Sequence, residues 1–153
     1  MELPNIFTQP VAGAVISRIE QLQPGSRPGW GKMNVGQMLA HCNVQYEMVY
    51  DSHKFPRPNF FMRFILKSFI KKVVTSAAPY KRNAQTAPAF LVRGDRDFDH
   101  EKARLIGYIQ QTANLGEAGF DGKASHSFGV LSKNEWNNLF YKHLDHHLQQ
   151  FGV

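Results

Sequence analysis

S-K-N-E-W-N-N-L-F-Y-K-H-L-D-H-H-L-Q-Q-F, from Ser132 to Phe151, is the stretch on which the fold turns. Ser132 followed by Glu135 is a capping box, in which the hydroxyl takes a backbone N–H of the first turn and the carboxylate reaches back to the capping residue. It predicts a helix from Lys133 to about Gln150. At about 100° per residue, Trp136, Leu139, Phe140, Leu144 and Phe151 lie along one side, an apolar stripe that has to be buried. His143 and His147 fall in the middle of that stripe, four residues apart and therefore one above the other. His146 falls at its edge, and Asp145 is expected to point to water. Two stacked imidazoles in a core are costly unless their nitrogens find partners. A divalent metal would accept both lone pairs; carbonyls or hydroxyls would serve a pair of structural histidines.

Outward from this helix, helical periodicity dominates, and no stretch alternates in the manner of a strand. A helix is expected from about Thr8 to Gln21, with Val11, Val15, Ile16 and Ile19 on one face, ending before Pro24 and Gly25. Asn34, with Gln37 at the reciprocal position, starts a second helix. It runs to about Ser52 through Val35, Met38, Leu39, Cys42, Tyr46, Val49 and Tyr50. Pro56 and Pro58 separate it from a third, Asn59 to Ala77, and Ala78 to Gly94 has no clear period. A fourth helix begins after Asp97 or Asp99 and reaches about Leu115, burying Phe98, Leu105, Ile109 and Ala113. A glycine-rich loop from Gly116 to Gly129 leads into the last. The expected fold is all-α, with one domain over residues 1–153.

Twelve Phe residues in 153 supply bulky apolar surface for a core. The single cysteine, Cys42, excludes a disulfide within the chain and fits a reducing, cytoplasmic setting. It projects toward the apolar stripe of its helix and reads as a small core residue. Residues Met1 to Asn5 lack the basic-then-apolar pattern of a secretory signal. No apolar run approaches the roughly 20 residues of a membrane-spanning helix. The formal charge of +6 comes without zinc-finger spacing, an aromatic ribonucleoprotein motif or a basic arm, so no nucleic-acid partner is expected. The excess fits a solvated face, or attraction for an anionic small substrate.

The remaining histidines sort by position. His41 lies about two turns into the second helix, while His143 and His147 lie about two turns from the end of the last. Antiparallel packing of these helices brings the three to one height. His53 is about 18 Å further along the second helix. His100 points away from the apolar stripe of its own helix, and His126 lies in a loop. His41 sits on the flank of its helix's apolar face, beside Met38 and Gln45.

The residues W-G-K-M-N-V-G-Q-M-L-A-H-C, Trp30 to Cys42, resemble the opening motif of a bacterial branch of the DinB-like helical bundles, a superfamily with a three-histidine metal site. H-S-F-G-V-L-S-K-N-E-W, His126 to Trp136, and Y-K-H-L-D-H-H-L-Q-Q-F, Tyr141 to Phe151, are similar to its closing motif. The resemblance covers most of the chain from Trp30 onward. It implies metal ligands at His41, His143 and His147, with His146 in a neighbouring position that is not a ligand. It also implies a four-helix bundle of up-down-down-up order, with the third helix in the long crossover and the second and last helices antiparallel.

An open three-ligand site is the catalytic pattern, since closed structural sites use four protein ligands. Zinc, nickel or iron would accept imidazoles. Such an ion lowers the pKa of a bound water or holds a thiol as its thiolate. The resemblance implies the second, because several characterised relatives transfer a low-molecular-weight thiol such as bacillithiol or mycothiol. Two functions are therefore expected as alternatives: a metal-dependent transferase or hydrolase acting on a small molecule, or a non-catalytic metal-binding or dimeric interaction protein of the same fold. No acid, base or substrate anchor declares itself among Gln37, Gln45, Tyr46 and Tyr50, which share the helix of His41. The third helix is apolar on more than one face and carries a basic stripe, Arg63, Lys67 and Lys71. It reads as a core helix with one solvated edge, as a homodimer contact, or as a helix lying on an anionic membrane surface. A homodimer is expected.

Overall fold

All helix starts but the first lie where capping side chains put them. In the computed structural model, which describes residues 2–153, α2 (Val35–Tyr50) begins at Asn34 and α5 (Lys133–Gln150) at Ser132, each with a complete capping box. Asp97 accepts the N–H of His100 and starts α4 (Phe98–Leu115). α1 is Gln9–Glu20, with Pro10 in its first turn, where a missing N–H costs nothing. The third helix, α3, spans residues 60–75 and is not uniform: Phe60–Ile65 and Lys71–Thr75 are α-helical, and Leu66–Ile70 is a π turn in which the Lys71 N–H reaches back to the Leu66 carbonyl. The glycine-rich loop holds a two-residue hairpin, Ala124–Ser125 paired antiparallel with Gly129–Val130.

The chain is mostly helical, with α1, α2, α4 and α5 around one apolar core. Ile6, Ile19, Leu39, Leu105, Ile109, Phe120, Phe140 and Leu144 are fully or almost fully buried there. Aromatic rings form its spine. Tyr46 stacks on Phe140 at 4.8 Å and Trp136 on Phe140 at 5.4 Å, while Phe7 stacks on Phe120 at 5.0 Å. Burying one such ring stabilises by about 1.5–3 kcal/mol, so this row is a main source of cohesion.

Polar links between helices fix their directions. Nζ of Lys102 reaches Glu20 while Gln9 donates to Asn114, so α1 and α4 run oppositely. Asn43 donates to Glu101 and Tyr50 meets Thr112, so α2 and α4 run the same way. His41 meets His143 while Gln45 donates to the Leu139 carbonyl, so α2 and α5 are antiparallel. Asp145, expected to face water, instead pairs with Arg18 of α1 at 2.8 Å, because α1 runs beside that side of α5.

Of the three readings of α3, the core helix is corrected. Only Thr75 of this helix is buried, and Phe60, Phe61, Phe64 and Phe69 are exposed. It is tied to the rest mainly by polar bonds. The buried Lys142 ammonium donates to the carbonyls of Val73 and Ser76, both at 2.6 Å, and Asn138 donates to that of Thr75. Lys71 pairs with Glu135 at 2.9 Å. A cation on the last carbonyls of a helix is where the macrodipole favours it.

Candidate metal centre

Antiparallel α2 and α5 bring His41, His143 and His147 together. One ring nitrogen from each lies within 4.8 Å of the others, and Nε2 of His41 is 2.9 Å from Nε2 of His143. In a tetrahedral zinc site, bonds of 2.0–2.1 Å place neighbouring nitrogens about 3.4 Å apart, so the spacing suits a shared ion. All three rings are buried. His41, expected on a flank, is as enclosed as the other two because the segment after α3 covers that flank. The Phe90 ring lies 5.5 Å from that of His41 and 5.9 Å from that of His143, and the Tyr80 ring lies 6.4 Å from His143.

Hydrogen bonds decide which nitrogens are free. The Phe90 carbonyl can only accept, so the contact at 2.9 Å means that His41 donates from Nδ1 and its neutral ring is bare at Nε2. Gln150 donates from Nε2 to the Trp30 carbonyl at 2.6 Å, which fixes its amide orientation. Its Oε1 then accepts from Nδ1 of His147 at 2.8 Å, leaving that ring bare at Nε2 as well. Nδ1 of His143 is buried and has no partner. The bare Nε2 of His41 faces Nε2 of His143, so a neutral His143 either donates its own proton there or shares a cation with His41 and His147.

Protonation of the cluster to imidazolium is resisted. Burial, reinforced by His41 among its neighbours, pulls His147 down to about 3. Burial, followed by the neighbouring histidines, holds His143 well below the usual imidazole value. Burial also lowers His41, against the raising effect of the Phe90 carbonyl. A divalent cation fits the donor set instead: neutral imidazole is the state that ligates, and a second ring nitrogen fastened to a carbonyl or amide is the usual support for such a ligand.

The other candidates fall elsewhere. His146 is half-buried between the Trp30 and Tyr80 rings, outside the cluster. His53 and His100 are exposed, and His126 sits against Ser127 and the Phe55 carbonyl. Cys42 is buried with its thiol toward Met38, and burial pushes that thiol far above its ordinary value. Gln37 serves the α2 cap and the Gly94 carbonyl, and Tyr50 meets Thr112. Tyr46 is sealed among rings with its hydroxyl unpartnered, and Gln45 is occupied with Leu139.

A family model described as a protein of unknown function, DUF1569, matches residues 4–152. The chain belongs to the DUF1569 family. The match takes in the whole of this cluster, from His41 to His147, with Phe90 and Gln150. No curated protein and no solved structure matches this DUF1569 chain. Phe90 and Gln150 were not legible as site residues. Gln150 follows His147 by one helical turn and offered a weak signal; the irregular segment around Phe90 offered none.

Proposed function

We propose that this protein holds one divalent metal ion on His41, His143 and His147 and uses it on a small molecule. The observation that carries the reading is the convergence of three buried imidazoles, two of them with the opposite nitrogen committed to Phe90 and Gln150. When bound, zinc, nickel or iron supplies Lewis acidity toward a thiol or a water molecule. The chain itself orients the ligands through Phe90 and Gln150, excludes bulk water with the Phe90 and Tyr80 rings, and keeps the histidines neutral by burial.

The architecture belongs to the same proposal: a DinB-like four-helix bundle in up-down-down-up order, with α3 in the crossover. The helix directions read from the interhelical hydrogen bonds support it. Thiol transfer and hydrolysis are the two reactions this reading carries. Metal analysis of tag-free protein tests it, with one ion per chain expected. His41→Ala, His143→Ala and His147→Ala should each lose that ion while keeping a helical circular-dichroism spectrum, and His146→Ala and His53→Ala should keep it. Stoichiometric metal in any of the first three variants would refute the ligand set.

A second reading is a metal-binding protein without turnover. It is favoured by the cover itself, since Phe90 and Tyr80 leave all three rings buried. Cobalt-substituted protein separates the two. A sulfur-to-metal charge-transfer band on adding a small thiol supports an accessible thiol site. A spectrum indifferent to thiols and to pH supports the closed one.

A further inference from the structure

The positive charge of this chain is not spread over its surface. Residues 52–94 carry nine of the eighteen Lys and Arg residues and none of the twelve Asp and Glu, so the remainder of the chain is net acidic. The same segment contains the largest exposed apolar side chains: Phe60 is 89% exposed, Phe61 69%, Phe64 61% and Phe69 66%. Phe60, Phe61 and Phe64 fall within an arc of roughly 100° on the first turns of α3. Helices this apolar are ordinarily buried, and contiguous exposed apolar surface marks a contact.

The charge identifies the partner. Arg57, Arg63, Lys67 and Lys72 are exposed, and none is paired with a carboxylate among the described residues. A cavity of about 200 Å³ opens at the foot of α3, lined by Arg57, Arg63, Lys123 and His126 with Ser52 and Ser125, and no acidic residue lines it. Such a cavity matches a phosphate-bearing headgroup. A second copy of the chain would set the same acid-free segment against itself, with like charges facing across the contact. No helix among the described residues is long and apolar enough to cross a membrane, so contact with lipid would lie in the interface plane.

We propose that α3 and the basic residues around it form a docking surface for an anionic phospholipid membrane. The Phe60, Phe61 and Phe64 rings enter the acyl boundary, the Arg and Lys stems lie along it with their charges at the headgroup level, and the Arg57–Arg63 cavity receives a lipid phosphate. This surface is independent of the histidine cluster, so either proposal stands if the other fails.

Cosedimentation of the full chain with vesicles tests it, using phosphatidylcholine alone and phosphatidylcholine mixed with phosphatidylglycerol. Binding is expected to the mixed vesicles only, and to weaken as salt rises. Arg63→Gln and Lys67→Gln should each lower the partition coefficient by about fivefold. Phe60→Ser with Phe64→Ser should abolish binding while leaving the helical spectrum and the metal content unchanged. Salt dependence of the unaltered protein stands even if a variant misfolds. Absence of binding to the mixed vesicles, or equal binding to both kinds, overturns the proposal. So does a dimer that the Phe variants dissociate without any vesicle binding.

Discussion

Gln150→Leu removes an acceptor from His147 and a donor from the Trp30 carbonyl in one step, without touching any of the three proposed ligands. In the unaltered protein the amide fixes His147 as the tautomer bare at Nε2. Leucine leaves the Nδ1–H without a partner, so the ring is free to turn or to exchange its proton to Nε2, which blocks ligation. Loss of such a support costs roughly 10–100-fold in metal affinity, equivalent to about 1.4–2.7 kcal/mol. Gln150→Glu separates this effect from simple disruption. Its carboxylate still accepts from Nδ1, while the bond to the Trp30 carbonyl is lost. Competition against a chromophoric chelator would read both, with Gln150→Glu expected much nearer to the unaltered protein than Gln150→Leu. Unchanged affinity in the leucine variant, or equal losses in both, would refute the argument that the amide sets the tautomer.

Acid should unfold the metal-free protein early. His147 is held at about 3 in the fold, so between pH 6.5 and 3 the unfolded chain binds a proton that the folded one refuses. Its contribution is complete above about pH 6.5 and falls by about 1.4 kcal/mol per pH unit below it, with His41 and His143 acting in the same direction. Urea midpoints across this range check it, and a flat profile would contradict the depressed values. Tyr46→Phe keeps the stacked ring and deletes a buried hydroxyl that has no partner; a rise in stability of about 1 kcal/mol is expected, and a lower urea midpoint would mean the hydroxyl is satisfied. Gly31→Ala puts a Cβ 2.6 Å from the Gln150 amide at a φ of +80°, and should lower both stability, by about 1–3 kcal/mol, and metal affinity. Gly13→Ala, in open space within α1, should raise stability by up to about 1 kcal/mol and leave metal affinity alone.

The site was legible where its chemistry is carried by periodic sequence. His143 and His147 sit in the apolar stripe of a helix with a clear start, and the match in height with His41 needed only rise per residue. What escaped was set by tertiary contact. Phe90 reaches His41 through a backbone carbonyl, a group every residue owns, so no residue type could announce it. The exposure of α3 stayed undecided among three readings for a related reason. Periodicity tells which side of a helix is apolar, but two apolar sides leave the packed one undetermined, and here polar fastening from Lys142 and Asn138 decides. The hairpin at residues 124–130 is too short for alternation to be visible.

That fastening has a dynamic consequence. The crossover from α3 to the start of α4 is held by a few polar bonds, with little apolar burial of its own, whereas the helices beneath share a core. Segments of this kind open in local excursions at a free energy well below that of global unfolding. Amide hydrogens of residues 60–95 should therefore exchange faster than those of α2 and α5. The same excursions lift Phe90 and Tyr80 away from the histidines, so the frequency of a local opening, and not the width of a permanent channel, governs how often the three imidazoles meet solvent.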